Sequence, residues 1–279
     1  MKVALRASML CGVAAAATLA WAEERDYRLA PGAGGDYRVT ARYLNFNSDP
    51  LAIGFTLLQR AVRESSEEFG FDRAEPRKMA QGCNCTQQQY DQRVEAYYRS
   101  RAVAWRMESG VRQLYVDVPA VVERNRPRLR VLAGQFDKMN SSRHYSQDDA
   151  LGAMITFVQA ALAYQKPPNQ EGGRDILGFY PPMRALEAGS GDCDTKSALL
   201  AAILTNFPGV RMIGVHVPRH YLVGIARVPR HGDAFIEYGG EPFVLIEASG
   251  PGRLPPGVIA AATQAALETM NEVRIDPLF

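Results

Sequence analysis

The chain has 279 residues, 47% hydrophobic and 22% charged, a balance that excludes a disordered or fibrous protein and is ample for a packed core. The first 22 residues carry Lys2 and Arg6 and no acid, so without them the 32 basic side chains fall to the same 30 as the acidic ones. That neutrality excludes the basic excess of a nucleic-acid-binding protein, and the many arginines are interspersed with acids as solvated faces are.

The N-terminus reads as an export signal. Lys2 and Arg6 open it, Met9 to Leu19 is apolar, and Ala20-Trp21-Ala22 fits the small-x-small rule for cleavage after Ala22. The apolar run is shorter than the ~20 residues a membrane-spanning helix needs, and no later stretch is apolar enough to span. A periplasmic or secreted protein with no integral span in the mature chain is expected.

Residues 23–144 are expected to be a mainly helical region. Glu23 to Gly35 is a polar lead-in whose GAGG lacks the strand–loop–helix context of a phosphate loop. Tyr37 to Tyr43 alternates as a short strand. Asp49 caps a predicted helix over 51–69, with Ile53, Leu57, Leu58 and Val62 on one side. A loop is expected over 71–84, a polar helix over 87–107 and a further helix over 119–135 with proline at its first position. No repeat and no chemistry stand out in this region.

Residues 145–257 carry the chemistry. A helix is predicted over 149–164, then a long Pro- and Gly-rich loop over 165–182 that would wall one side of a cleft. Gly189 to Phe207 reads GSGDCDTKSALLAAILTNF, a helix apolar on most faces and therefore buried. Cys193 stands at its N-terminus, where unpaired N–H groups and the helix dipole favour a thiolate. Asp192 and Asp194 are expected to cap the helix and complement its dipole. Four strands follow, over 210–217, 221–228, 234–238 and 243–247, as an antiparallel sheet with turns at Gly232-Asp233 and Gly239-Gly240. His220 lies near the start of the second and Glu247 near the end of the fourth. An ionised carboxylate in an apolar strand is costly unless paired. His220 would be the base and Glu247 its orienter, with a structural ion pair to an arginine the other reading of Glu247. His216 reads as a satisfied sheet histidine. Gln165 and Tyr180 are candidate oxyanion donors beside the Cys193 N–H. Residues 258–279 read as a C-terminal helix and tail.

Cysteine counting separates the thiols. Cys11 leaves with the signal, Cys83 and Cys85 are the natural pair in an oxidising compartment, and Cys193 is left alone. Two cysteines without a nearby histidine are too few for a structural zinc site, so no metal and no cofactor are expected.

The order of helix cysteine, strand histidine and next-strand acid, with Gly191 to Asp194 reading GDCD, resembles the bacterial transglutaminase-like cysteine peptidase superfamily. Tyr180-Pro181-Pro182 and Leu186 resemble the proline-containing run before the cysteine in such proteins. The resemblance covers roughly residues 150–257. It departs at Glu247, where most relatives have aspartate, and at Phe179 and Tyr180, where many have tryptophan. It implies an α+β, papain-like core in which the nucleophile's helix packs on an antiparallel sheet. It also implies acyl transfer through a Cys193 thioester on a peptide or protein amide. Hydrolysis would make the chain a thiol peptidase or amidase, and an amine acceptor a crosslinking transglutaminase. A non-catalytic envelope protein that keeps the fold for binding is the alternative. A thiol-redox protein working through Cys83 and Cys85 is a third reading, against which stands the absent C-x-x-C motif.

Overall fold

The computed structural model describes residues 26–250, 252–269 and 273–278, so the expected signal and its cleavage point lie outside the described residues. The fold is mixed α+β with antiparallel sheets.

The N-terminal region is less helical than expected. Strands β1 (Asp26–Pro31), β2 (Tyr37–Leu44) and β3 (Pro50–Leu57) form an antiparallel meander. β3 falls where a helix over 51–69 is predicted. Leu51, Ile53, Phe55 and Leu57 repeat every second residue and all four are buried, so the strand period decides this segment. The helical part begins only at α1 (Gln59–Glu67). A short helix α2 (Glu75–Gln81) replaces the expected loop. Helix α3 (Gln87–Ser100) starts at a Thr86/Gln89 capping box and stops earlier than predicted, because β4 (Val103–Glu108) and β5 (Val111–Val116) form a hairpin. Its turn uses Ser109 and Gly110, both at positive φ. The helix expected over 119–135 is α4 (Val118–Asn125) and α5 (Arg130–Arg143), separated by a tight turn at Pro127.

Helix α6 (Gln147–Thr156), capped by Ser146, runs into a π-helical turn over Phe157–Ala161. Three two-residue strands follow: β6 (Ala163–Tyr164), β7 (Gln170–Glu171) and β8 (Arg174–Asp175). Helix α7 (Pro182–Ala188) ends on Gly189 in the left-handed conformation, and β9 (Ser190–Gly191) leads into α8 (Cys193–Leu204). A five-stranded antiparallel sheet then forms from β10 (Met212–Val217), β11 (His220–Ala226), β12 (Phe235–Tyr238), β13 (Glu241–Ile246) and β14 (Arg274–Pro277). Its order is β12-β13-β11-β10-β14. Helix α9 (Ala261–Thr269) lies between β13 and β14 in the chain. β14, which adds an edge to β10, is not anticipated in the sequence.

The two faces of the sheet are covered differently. Tyr221, Val223, Val244 and Ile246 belong to the core shared with α8, which is buried from Thr195 through Leu204 and packs against α4, α7 and β11. Fully burying each of Leu199, Leu200 and Ile203 is worth about 1.5–3 kcal/mol. Leu222, Phe243 and Leu245 point the other way and pack with Leu267 of α9.

Candidate active site

Gly191 is required where β9 turns into α8. A Cβ there would lie 2.3 Å from Cγ2 of Thr195, so only glycine lets the first turn close against the strand. β9 pairs in parallel with β6, setting Tyr164 opposite Gly191, and the Gln165 N–H donates to the Gly191 carbonyl at 3.1 Å. Residues 163–165 therefore run beside the approach to Cys193. The thiol itself is free and half-buried, at the first residue of α8.

His220 is the first residue of β11, at the margin of the sheet. Nε2 lies 2.7 Å from Oε2 of Glu247, and Cys193 is near enough to act on the ring, which leaves Nδ1 as the nitrogen free to face the thiol. Burial pushes His220 down, but the hydrogen bonds to Cys193 and Glu247 and their negative charge outweigh it and raise it from 6.5 to about 10. Glu247 sits one residue beyond β13 and is buried. Burial pushes its carboxyl up, and hydrogen bonds from His220, Thr263 and the Ala260 N–H together pull it below its ordinary value. An ion pair across His220 and Glu247 at neutral pH follows from both shifts.

The acid is held on every side. Its Oε1 accepts from the Thr263 hydroxyl at 2.6 Å and from the Ala260 N–H at 3.3 Å. Its backbone carbonyl accepts from Gln159 Nε2 at 2.6 Å. Lys196, one turn along α8 and 1% exposed, donates to the carbonyls of Leu162 at 2.8 Å, Ser249 at 3.2 Å and Gln159 at 3.3 Å. This buried ammonium ties α8 to the segments before β6 and after β13. A lysine inside an apolar helix is the sequence signal for it. Nothing in the sequence pointed to Thr263 or Gln159.

Asp192 and Asp194 differ from simple caps. The Asp192 side chain makes no capping bond, and Asp194 Oδ1 accepts from the Thr195 N–H at 2.8 Å. Burial and the adjacent Asp192 carboxyl push Asp194 well above the ordinary range. Asp192 Oδ1 is buried without a hydrogen-bond partner.

The two oxyanion candidates are placed differently. Gln165 is exposed, one residue past β6, with its N–H on the Gly191 carbonyl. Tyr180 is buried with its ring beneath the Arg184 guanidinium, 4.7 Å away, while its N–H donates to Thr195 Oγ1 at 3.1 Å. Tyr164, not singled out in the sequence, is the tyrosine near the thiol: partial burial, then the negative charge of Cys193, Asp192 and Asp194, raises its pKa. His216 stacks edge-to-face on Tyr221 at 5.1 Å, and burial lowers its pKa. With Asp194, Asn169 and Tyr115 it lines a cavity of about 420 Å³ beside the first turn of α8.

Cys83 and Cys85 form a disulfide with Cα atoms 5.1 Å apart. Among the described residues no group of three or more His, Cys, Asp and Glu side chains is placed to hold a metal ion, and no helix is long and apolar enough to cross a membrane. Comparison with protein-family models, curated proteins and solved structures gives no match.

Proposed function

We propose that the chain is a cysteine acyl-transfer enzyme acting on a peptide or protein amide. The observation that carries this reading is the setting of His220, whose Nε2 lies 2.7 Å from Glu247 and whose pKa is raised by both Glu247 and the nearby Cys193. A thiol at a helix start, an imidazole and an orienting carboxylate are the parts acyl transfer needs. Cys193 attacks the amide carbonyl, and the electron pair moves to its oxygen. His220 gives its proton to the leaving amine as the tetrahedral adduct collapses to a thioester. Water, deprotonated by His220, then releases the acid and restores the thiol. Glu247 keeps the Nε2 proton on its own side of the ring, so that Nδ1 faces the sulfur. Helix N–H groups at Cys193 are suited to the developing oxyanion, and Gln165 and Tyr164 stand close enough in the chain path to add a donor. The papain-like, transglutaminase-like identity of the core belongs to this proposal, as does export, which the Cys83–Cys85 disulfide supports.

The deciding experiment treats folded and denatured protein with an iodoacetamide probe near neutral pH and maps the label. Rapid labelling of Cys193 in the folded protein, lost in His220→Ala, is the expected result. Slow labelling of native Cys193 that speeds up only on unfolding would overturn the reading. Turnover of a mixed peptide pool with and without an added primary amine then separates hydrolysis from crosslinking.

A further inference from the structure

Glu247 has parity with Phe243 and Leu245, which face α9, and not with the residues that face the nucleophile's helix. Its carboxylate is thus reached from the side of the sheet opposite α8. There the helix α9 supplies Thr263, 5% exposed, whose hydroxyl donates to Oε1 at 2.6 Å, with the Ala260 N–H adding a longer bond just before the helix. The other oxygen, Oε2, is left for His220. A carboxylate fixed by one oxygen cannot swing about its last torsion, so the second oxygen stays in line with the imidazole.

We propose that Thr263 is a positioning residue for the histidine: through Glu247 it sets the direction of the His220 ring, and α9 belongs to the active site. The proposal deepens the acyl-transfer reading and rests on it for its catalytic meaning. The geometry also accounts for glutamate at this position. From the end of β13 the acid must touch both Thr263 on α9 and His220 at the start of β11, and the extra methylene gives that reach. Gln159 holds the backbone of the same residue, so main chain and side chain are anchored independently. The charged groups near the pair are Cys193 from α8, His220 from β11 and Glu247 itself, and Thr263 contributes a neutral donor.

The test follows the His220 ring in the full chain by NMR titration, with the Cys193 alkylation rate measured across pH in parallel. Thr263→Val keeps the shape and removes the donor. A carboxylate free to turn away from the ring stabilises the imidazolium less. The expected result is a lower His220 midpoint and about a tenfold slower alkylation near neutral pH, as for the loss of one charge-assisted hydrogen bond. Thr263→Ser, which restores a hydroxyl, should recover most of both. Thr263→Ala serves if the valine variant does not fold. Superimposable titrations of wild type and Thr263→Val, or equal losses in the serine and valine variants, would overturn the proposal. An inert Cys193 in wild type, with a His220 midpoint that still falls in Thr263→Val, would remove the enzyme reading and leave this positioning role standing.

Discussion

His220 and Glu247 are joined by a 2.7 Å contact between Nε2 and Oε2, with Cys193, at the first turn of α8, also acting on the imidazole and the carboxylate anchored on α9. The imidazole, at the start of β11, feels both. Its chemistry therefore depends on how each neighbour is held.

Glu247→Gln keeps the volume but changes what Oε1 and Oε2 can do. The amide oxygen can still accept from Thr263 and Ala260, which leaves the NH2 group facing His220. Nε2 must then accept and Nδ1 carry the proton, the wrong tautomer for taking one from sulfur. Peptide turnover should fall by about 10³–10⁴, as when a triad acid is made an amide, with a small change in thermal midpoint. Glu247→Asp should also lose activity, since a shorter side chain cannot span both partners. Undiminished turnover in Glu247→Gln would leave a Cys193–His220 dyad.

The raised His220 and depressed Glu247 set the pH window of stability. His220 is higher in the folded protein, so its contribution is complete below about 6.5 and disappears as pH rises through about 10. Glu247 is lower in the folded protein, so its contribution is complete above about 4.5 and disappears as pH falls through its folded value. Urea unfolding across pH should show a plateau between these limits. In Cys193→Ala the alkaline edge should move to lower pH, because one of the groups that raise His220 is gone. An alkaline edge unmoved in both Cys193→Ala and His220→Gln would exclude this histidine as its source.

Gly191→Ala places a methyl group 2.3 Å from the Thr195 side chain. The first turn of α8 must shift, at a cost of about 1–3 kcal/mol, and the thiol shifts with it. Equilibrium denaturation and Cys193 alkylation should both register the change. A second substitution, Thr195→Ser, removes the clashing methyl and should recover part of the loss. No recovery would mean that the glycine is needed for another reason.

The Cys83–Cys85 disulfide closes a loop of sequence separation 2, which restricts the unfolded chain little. Cys83→Ser with Cys85→Ser should cost no more than about 1.5 kcal/mol in urea unfolding, and Cys193 alkylation should be unaffected. A larger loss would assign the bridge a structural role in the α2–α3 region.

The parts of the fold that read clearly in the sequence are those ruled by local pattern. Helix α8 is an unbroken apolar run after a glycine, and the strands around His220 and Glu247 are apolar with turn glycines between them. The segment over 51–69 reads two ways, because Ile53, Leu57 and Leu58 fit a helix face while Leu51, Ile53, Phe55 and Leu57 fit a strand. Pairing with β2 settles it, and that is a contact beyond any local window. β14 reads RIDP, with little to mark a strand until β10 offers an edge. Thr263 and Gln159 were invisible for the same reason: each matters for a partner 16 or 88 positions away.

The position of α9 late in the chain sets an order of events during synthesis. Cys193 and His220 leave the ribosome well before Ala260 and Thr263, which complete the setting of Glu247. Until then the carboxylate lacks two of its donors. A chain that ends before α9 therefore carries the thiol without these surroundings, and the setting of Glu247 is complete only once α9 has been made.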